Sequence, residues 1–133
     1  MGLGILPWSP LAGGLLSGKY RRGQPQPEGS RLAQWKERYA RFDNDRNWTI
    51  VEAVAAAAEE LGKAPSQIAL AWLLARPAVA SVIFGARTVV QLEENLLGAD
   101  LELSPEVLAR LDAASAFELG DPYEFIKQVD GAW

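Results

Sequence analysis

One stretch in the second half of the chain combines a short strand pattern, a glycine and a new helix start around one arginine. The run Ser81–Phe84 is rich in β-branched and aromatic residues and ends at Gly85, and Thr88 and Gln91 then stand at capping-box spacing. Arg87 lies just before this helix start. Free backbone N–H groups and the helix dipole both attract an anion at such a point, so the pattern predicts a phosphate site.

The same arrangement also occurs in α/β proteins that bind nothing there, and the residues alone leave both interpretations open. Glu94 and Asn95 follow on the same predicted helix. Without a ligand they are solvated surface; with one, they reach back toward it at the helix start.

The composition removes several kinds of chemistry. The 133 residues contain no Cys and no His, which excludes disulfides, thiolate metal sites, the commonest metal ligand and the commonest base near neutral pH. We therefore predict no metal site. The net charge of -4 disfavours a nucleic-acid partner. No run is apolar enough to span a membrane and the start lacks the basic region of a signal peptide, so we expect a cytoplasmic protein without a membrane partner.

The elements that must position the phosphate site are short strands and several helices. Apolar runs predict strands at Leu3–Trp8 and Val79–Phe84. Periodic apolar positions and capping signals predict helices over Arg31–Phe42, Trp48–Leu61, Pro65 or Ser66 to just before Pro77, Thr88–Leu97, and from Ser104–Pro105 onward. In the last of these, Leu103 is expected to pack on Leu108, and Leu108 and Leu111 are expected to continue the buried face.

This order indicates one α/β domain over residues 1–133 with parallel strands. Two strands do not complete a parallel sheet, which normally has both faces covered and its edges paired. Both predicted strands are apolar on both faces. We therefore expect the chain to bury them against another copy of itself or against another chain.

Three motifs stand in order along the chain: Trp8–Tyr20 (WSPLAGGLLSGKY), Ser66–Leu73 (SQIALAWL) and Gly85–Asn95 (GARTVVQLEEN). Together they resemble the aldo-keto reductase family, in particular the branch that includes the potassium-channel β subunits. The resemblance implies a (β/α)8 TIM barrel that binds NADP(H) and reduces carbonyls, and a complete barrel needs about 250 residues. The chain thus resembles the C-terminal part of such a barrel, a partial α/β barrel whose strands match the seventh and eighth.

The resemblance also implies what the motif residues do. Trp8 would stack on the nicotinamide, although a Trp at a strand end also suits a protein core, just as Gly13 alone suits a plain turn and Lys19 alone a solvated surface. The other implied contacts are Ser9, Leu11, Ala12 and Gly13 at the pyrophosphate, Lys19 near the phosphates, Arg31 in the loop that folds over the cofactor, Gly85, Arg87 and Gln91 at the adenosine 2′-phosphate, and Glu94 and Asn95 at the adenine. A guanidinium can meet phosphate with two hydrogen bonds, which favours NADP over NAD.

By the same resemblance, the catalytic Asp, Tyr, Lys and His belong to earlier strands, and this chain has no His. None of Tyr20, Tyr39 and Tyr123 stands in a segment that matches the family's catalytic motif, so we assign no catalytic residue. The interpretation is a cofactor-phosphate-binding part that is not catalytically competent alone. The alternative is a barrel module that forms homo-oligomers, or complements a separate N-terminal barrel fragment, and binds NADP(H) or no ligand. The tail at 123–126 either lines a substrate pocket or packs under the barrel.

Overall fold

The computed structural model describes residues 2–117, 120–122, 125, 126 and 129, and these are mostly helical. After a 3₁₀ helix at Ala12–Ser17 come α1 (Arg31–Gln34), α2 (Lys36–Phe42), α3 (Asp45–Leu61), α4 (Pro65–Leu74), α5 (Val89–Leu96) and α6 (Pro105–Ser115). In the tail, Tyr123 and Glu124 lie outside the described residues, whereas Phe125 and Ile126 are exposed.

The two predicted strands pair in parallel, but the prediction of continuous strands is wrong. Isolated parallel bridges join Ile5 to Val79 and Trp8 to Ile83, and the described part of the chain contains no longer strand. The Ile83 N–H donates to the Pro7 carbonyl at 3.0 Å. Continuity fails because Pro7 has no N–H to donate and because two segments alone make a marginal sheet.

The helix predicted over 31–42 is wrong in one respect, because Trp35 interrupts it. Its φ of -105° and ψ of 62° lie outside the helical region and separate α1 from α2. The helix predicted from Trp48 begins earlier, at Asp45. Asn44 caps it there, since the Asn44 side-chain oxygen accepts a backbone N–H of the first turn at 3.0 Å.

The predicted start of α6 is confirmed, and its buried face agrees with the prediction at Leu111 but not at Leu108. The Ser104 hydroxyl oxygen accepts the Val107 N–H at 3.3 Å, as a helix cap does. Val107 and Leu111 are the buried side chains, and Leu108 is only half-buried. Leu103 packs against the cluster that contains Val107, because that residue faces α3 and α4.

Two apolar clusters form the core of the described chain. The first joins α3, α4 and α6 and consists of Val54, Ala57, Ala58, Ile68, Ala69, Val107 and Leu111. The second joins the 3₁₀ helix to α1 and α3 and consists of Leu15, Tyr20, Leu32, Trp48 and Val51. The second cluster fixes the 3₁₀ helix, which follows the bridged residues 5–8. The first cluster fixes α4, which α5 contacts.

A polar bridge ties α4 to α6. Asp112 accepts hydrogen bonds from the Trp72 indole N–H at 2.8 Å and from an Arg76 guanidinium nitrogen at 3.1 Å. The Arg76 guanidinium also lies over the Trp72 ring, 4.5 Å from its centroid. The Trp72 hydrogen bond, and after it Arg76, hold the pKa of Asp112 below its usual value.

Candidate functional site

The structure brings the sequence-predicted site residues together around one open cleft of about 520 Å³. One wall comes from residues 8–14, and the other from residues 83–85 and the start of α5. The predicted residues that line it are Trp8, Ser9, Leu11, Gly13, Lys19, Arg31, Gly85, Arg87, Gln91, Glu94 and Asn95. Ala12 is not among the lining residues, because its side chain packs against the second core cluster.

The first wall is a tight turn in which the backbone repeatedly adopts the left-handed conformation. The φ angles of Ser9 and Ala12 are 60° and 50°, and those of Gly13 and Gly14 are 71° and 99°. Glycine takes this conformation without strain, whereas residues with a Cβ rarely do. The turn closes where the Gly14 N–H donates to the Leu11 carbonyl at 2.8 Å. The pair of glycines therefore lets the backbone itself form a cleft wall.

Trp8 lies at the mouth of the cleft and is not a core residue. Its side chain is 74% exposed, although its backbone takes part in the bridge to Ile83. The interpretation of Trp8 as a core Trp is therefore wrong. A large ring held by its backbone and left open on its faces is suited to stack on a planar ligand.

Among the described residues, three cationic side chains line the cleft, against one carboxylate, that of Glu94. The Lys19 ammonium lies 5.4 Å from the centroid of the Tyr20 ring, and the Arg31 guanidinium lies 5.4 Å from that of Trp35. Arg87 is exposed, and within the described ranges no carboxylate lies within ion-pair distance of it. The whole chain carries a net charge of -4, whereas the cleft carries a local excess of positive charge. This local excess favours an anionic ligand.

The helix start predicted at Thr88 is confirmed. The Thr88 hydroxyl oxygen accepts the Gln91 N–H at 3.2 Å, and α5 begins at the next residue. The Gln91 side chain reaches one residue beyond the cap and accepts the Arg87 N–H at 3.0 Å. The hydrogen bond fixes the backbone of Arg87 at the mouth of the helix, where both the dipole and the guanidinium attract an anion.

Two buried polar residues, one on α4 and one on α5, also line the cleft. Asn95 is 7% exposed and lines the cleft, and none of the hydrogen bonds in the described part of the chain uses its side chain. Ser66, at the start of α4, is 5% exposed and also lines the cleft. Sequence reasoning missed Ser66. Its signal was a polar residue in the first turn of an otherwise apolar helix.

The tyrosines that the structure describes do not line the cleft. The Tyr20 hydroxyl is buried and accepts the Leu32 N–H at 3.2 Å, so it stabilises the second core cluster. Burial raises the pKa of Tyr39, with Asp43 adding to the effect. Tyr123 lies outside the described residues. That no tyrosine has a catalytic role remains a prediction.

None of the described helices has both the length and the apolar character needed to cross a bilayer. Among the same residues, no group of three or more His, Cys, Asp or Glu side chains is placed to hold a metal ion.

Comparison with known proteins gives matches over most of the chain. Residues 1–116 match the model of the aldo/keto reductase family. A Schizosaccharomyces pombe protein named as a voltage-gated potassium channel subunit beta is 37% identical, over 84% of this chain and 33% of its own length. The oxidoreductase YrpG of Bacillus subtilis is 34% identical, over 84% of this chain and 32% of its own. Protein tas of Escherichia coli is 38% identical, with the same shares. The chain thus spans about a third of the length of these relatives.

Proposed function

Because the chain belongs to the aldo/keto reductase family, we propose that it is the cofactor-phosphate-binding C-terminal part of an NADP(H)-dependent carbonyl reductase. The observation that carries the proposal is the cleft, in which Lys19, Arg31 and Arg87 surround a capped helix start. Three cations, a helix dipole and a glycine turn suit a ligand with several phosphates.

Each part of the dinucleotide has a group in the cleft that fits it. Trp8 offers a ring face to the nicotinamide, and the turn at Ser9–Gly13 offers backbone groups to the pyrophosphate. The unused amide of buried Asn95, with Glu94 beside it, suits the hydrogen-bonding edge of the adenine. When bound, the cofactor supplies the hydride, and the chain's own residues bind and orient it.

The choice of NADP over NAD rests on Arg87. Its guanidinium is exposed at the helix mouth and has no acidic partner in the described part of the chain. A phosphate monoester can accept two parallel hydrogen bonds from such a group. NAD carries only a hydroxyl at that position, so it would gain neither the charge pairing nor the second bond.

The single-domain partial barrel over residues 1–133 belongs to the same proposal. The parallel bridges from Ile5 to Val79 and from Trp8 to Ile83 are where the seventh and eighth barrel strands would pair. The helices α1 to α4 lie in the chain between these two segments, as a crossover between parallel strands requires.

We expect this 133-residue polypeptide to bind NADP(H) without reducing a carbonyl by itself. It contains no His, and its cleft contains no tyrosine from the described residues. Without a tuned proton donor, bound cofactor has no partner for carbonyl reduction. Aldehyde-dependent oxidation of NADPH by the purified chain would contradict this part of the proposal.

The test of binding is a titration of NADPH with the purified chain, followed by the nicotinamide fluorescence and by quenching of tryptophan fluorescence. We expect saturable binding that is weaker with NADH. A truncated contact surface lowers affinity, so the titration extends to about millimolar cofactor. No signal change at that concentration would overturn the proposal.

A second candidate function, a module that assembles with itself or with a separate N-terminal barrel fragment, is favoured by one observation. Around the first bridged segment, residues 5–8, large apolar side chains are exposed: Leu3 is 78%, Leu6 57% and Trp8 74% exposed. Large apolar side chains beside an unpaired strand edge normally mark a contact surface. The mass of the purified species tests self-assembly, because a monomer would count against it. Recovery of aldehyde reduction on adding the first six strands of a relative would favour complementation.

A further inference from the structure

One buried side chain joins the start of α4 to the end of α5. Gln67 is 7% exposed and uses both ends of its amide: Oε1 accepts the Ala64 N–H at 3.0 Å, and Nε2 donates to the Glu94 carbonyl at 3.0 Å. The Ala64 N–H lies at a helix start and the Glu94 carbonyl in the last turn of a helix, where the helix leaves such groups without partners. Both contacts therefore satisfy backbone groups that the helices themselves leave unpaired.

The two helices also meet backbone to backbone beside Gln67. A Cβ placed on Gly98, just after α5, would lie 3.1 Å from the Cα of Gln67 and 3.1 Å from its carbonyl oxygen. Neither atom belongs to a flexible side-chain end that could give way. The glycine therefore sets how near α5 ends to α4, and the amide of Gln67 fixes that position.

Little else holds α5 in place. Asn95 is the buried residue of this helix, whereas Val89 and Val90 on its outer side are 70% and 71% exposed. Apolar packing, which positions most helices, is therefore weak here. The hydrogen bond from Gln67 has a correspondingly large share in deciding where α5 lies.

We propose that Gln67 is a positioning residue of the cofactor-phosphate site. It does not line the cleft, but α5 carries Gln91, Glu94 and Asn95, which do. By holding α5 against α4, Gln67 sets how far these side chains stand from the opposite wall at Ser9–Gly13. This inference rests on the proposed function, since it assigns Gln67 to the binding of the same ligand.

The test changes the donor end of the side chain and keeps the acceptor end. Gln67→Glu retains an oxygen for the Ala64 N–H, but an ionised carboxylate cannot donate to the Glu94 carbonyl and is repelled by it. Protonation restores the donor, and burial raises the pKa of a carboxyl group into the range where this can be followed. We expect NADP⁺ binding roughly tenfold weaker than wild type at about pH 8, and within about twofold of wild type at about pH 5.5.

Binding is measured by quenching of tryptophan fluorescence, and each affinity is compared with that of the wild type at the same pH. The comparison is needed because the ligand's own phosphate titrates near pH 6. Gln24→Glu makes the same change at an exposed loop position and is expected to follow the wild type throughout. A variant that is merely less stable would not regain affinity in acid, so the recovery separates positioning from general destabilisation.

Amide hydrogen exchange without ligand supplies a second readout. At about pH 8 we expect Gln67→Glu to speed exchange along α5 and to leave α6 unchanged, because the lost hydrogen bond holds α5 alone. Wild-type affinity together with unchanged exchange in α5 would overturn the inference. If the wild-type chain binds no NADP⁺, the proposed function fails, and the exchange result alone then decides whether Gln67 holds α5.

Discussion

Under the proposed function, discrimination between the two dinucleotides would depend on the guanidinium of Arg87. We expect Arg87→Ala to weaken NADPH binding about tenfold and to leave NADH binding nearly unchanged, because NADH lacks the phosphate that Arg87 would meet. Arg87→Lys keeps the charge but loses the paired hydrogen bonds, so it should restore only part of the loss. Fluorescence titration with both cofactors measures this, with Arg21→Ala as the matched exposed control. An equal loss for both cofactors would show that Arg87 does not read the 2′-phosphate.

A second residue-scale prediction concerns Asp112, which bridges α4 and α6. The Trp72 indole and Arg76 lower its pKa in the folded state, so the stabilisation is present above the pKa of the unfolded state and is lost as pH falls through the folded one. We expect Asp112→Asn to lower the free energy of unfolding by about 1 kcal/mol at neutral pH. The difference should vanish in acid strong enough to protonate Asp112 in the folded state. Urea denaturation at both pH values tests this, and Glu59→Gln, an exposed change on α3, should have no such effect.

At the scale of the elements, the approach of α5 to α4 depends on a missing side chain. Gly98→Ala would place its Cβ 3.1 Å from backbone atoms of Gln67. We expect a loss of roughly 1–2 kcal/mol in the free energy of unfolding, since backbone atoms cannot move aside cheaply. Gly85→Ala is the control, because nothing lies within 4 Å of the Cβ position there. Equal midpoints in urea for the two variants would show that the contact is not tight.

The elements also show which parts of the structure a sequence can predict. The caps at Thr88 and Ser104 depend on residues three positions away, and both were predictable. The break at Trp35 was not, because the apolar spacing continues through it while Leu32 is drawn into the second core cluster. Strand continuity was not predictable from apolar runs either, since it depends on neighbours rather than on the segment itself.

The candidate site was predictable from motif order, and its supports were not. Local residue types predicted the glycine turn and the capped helix, and in the structure these two elements form the walls of one cleft. The hydrogen bond from Gln67 to Glu94 joins residues far apart in sequence, and no local pattern announces it. Ala12 lies within the motif, yet its left-handed φ of 50° and its packing turn it away from the cleft.

At the scale of the whole molecule, the outer edge of residues 5–8 has no strand partner among the described residues. The hydrogen bonds to residues 78–83 use Ile5 and Pro7, so the backbone groups of Leu6 point to the other side. We expect the chain to associate, with a mass by light scattering above the 14.5 kDa of one chain. Leu6→Lys should shift it toward the single-chain mass, because a charge disfavours pairing at an edge. Phe117→Lys, at a side chain that is 73% exposed elsewhere, should not. A monomeric wild type would contradict the expectation.

The cleft has one wall from the beginning of the chain and the other from residues much nearer its end. A dinucleotide that grips both would act as a removable cross-link between the two, and at a hundred times its dissociation constant it would add about 2.7 kcal/mol to the folded state. An increment of this size lowers about a hundredfold the fraction of polypeptide that is unfolded and open to proteases at any moment. The nucleotide supply of the cell would then set the lifetime of the protein as well as its occupancy.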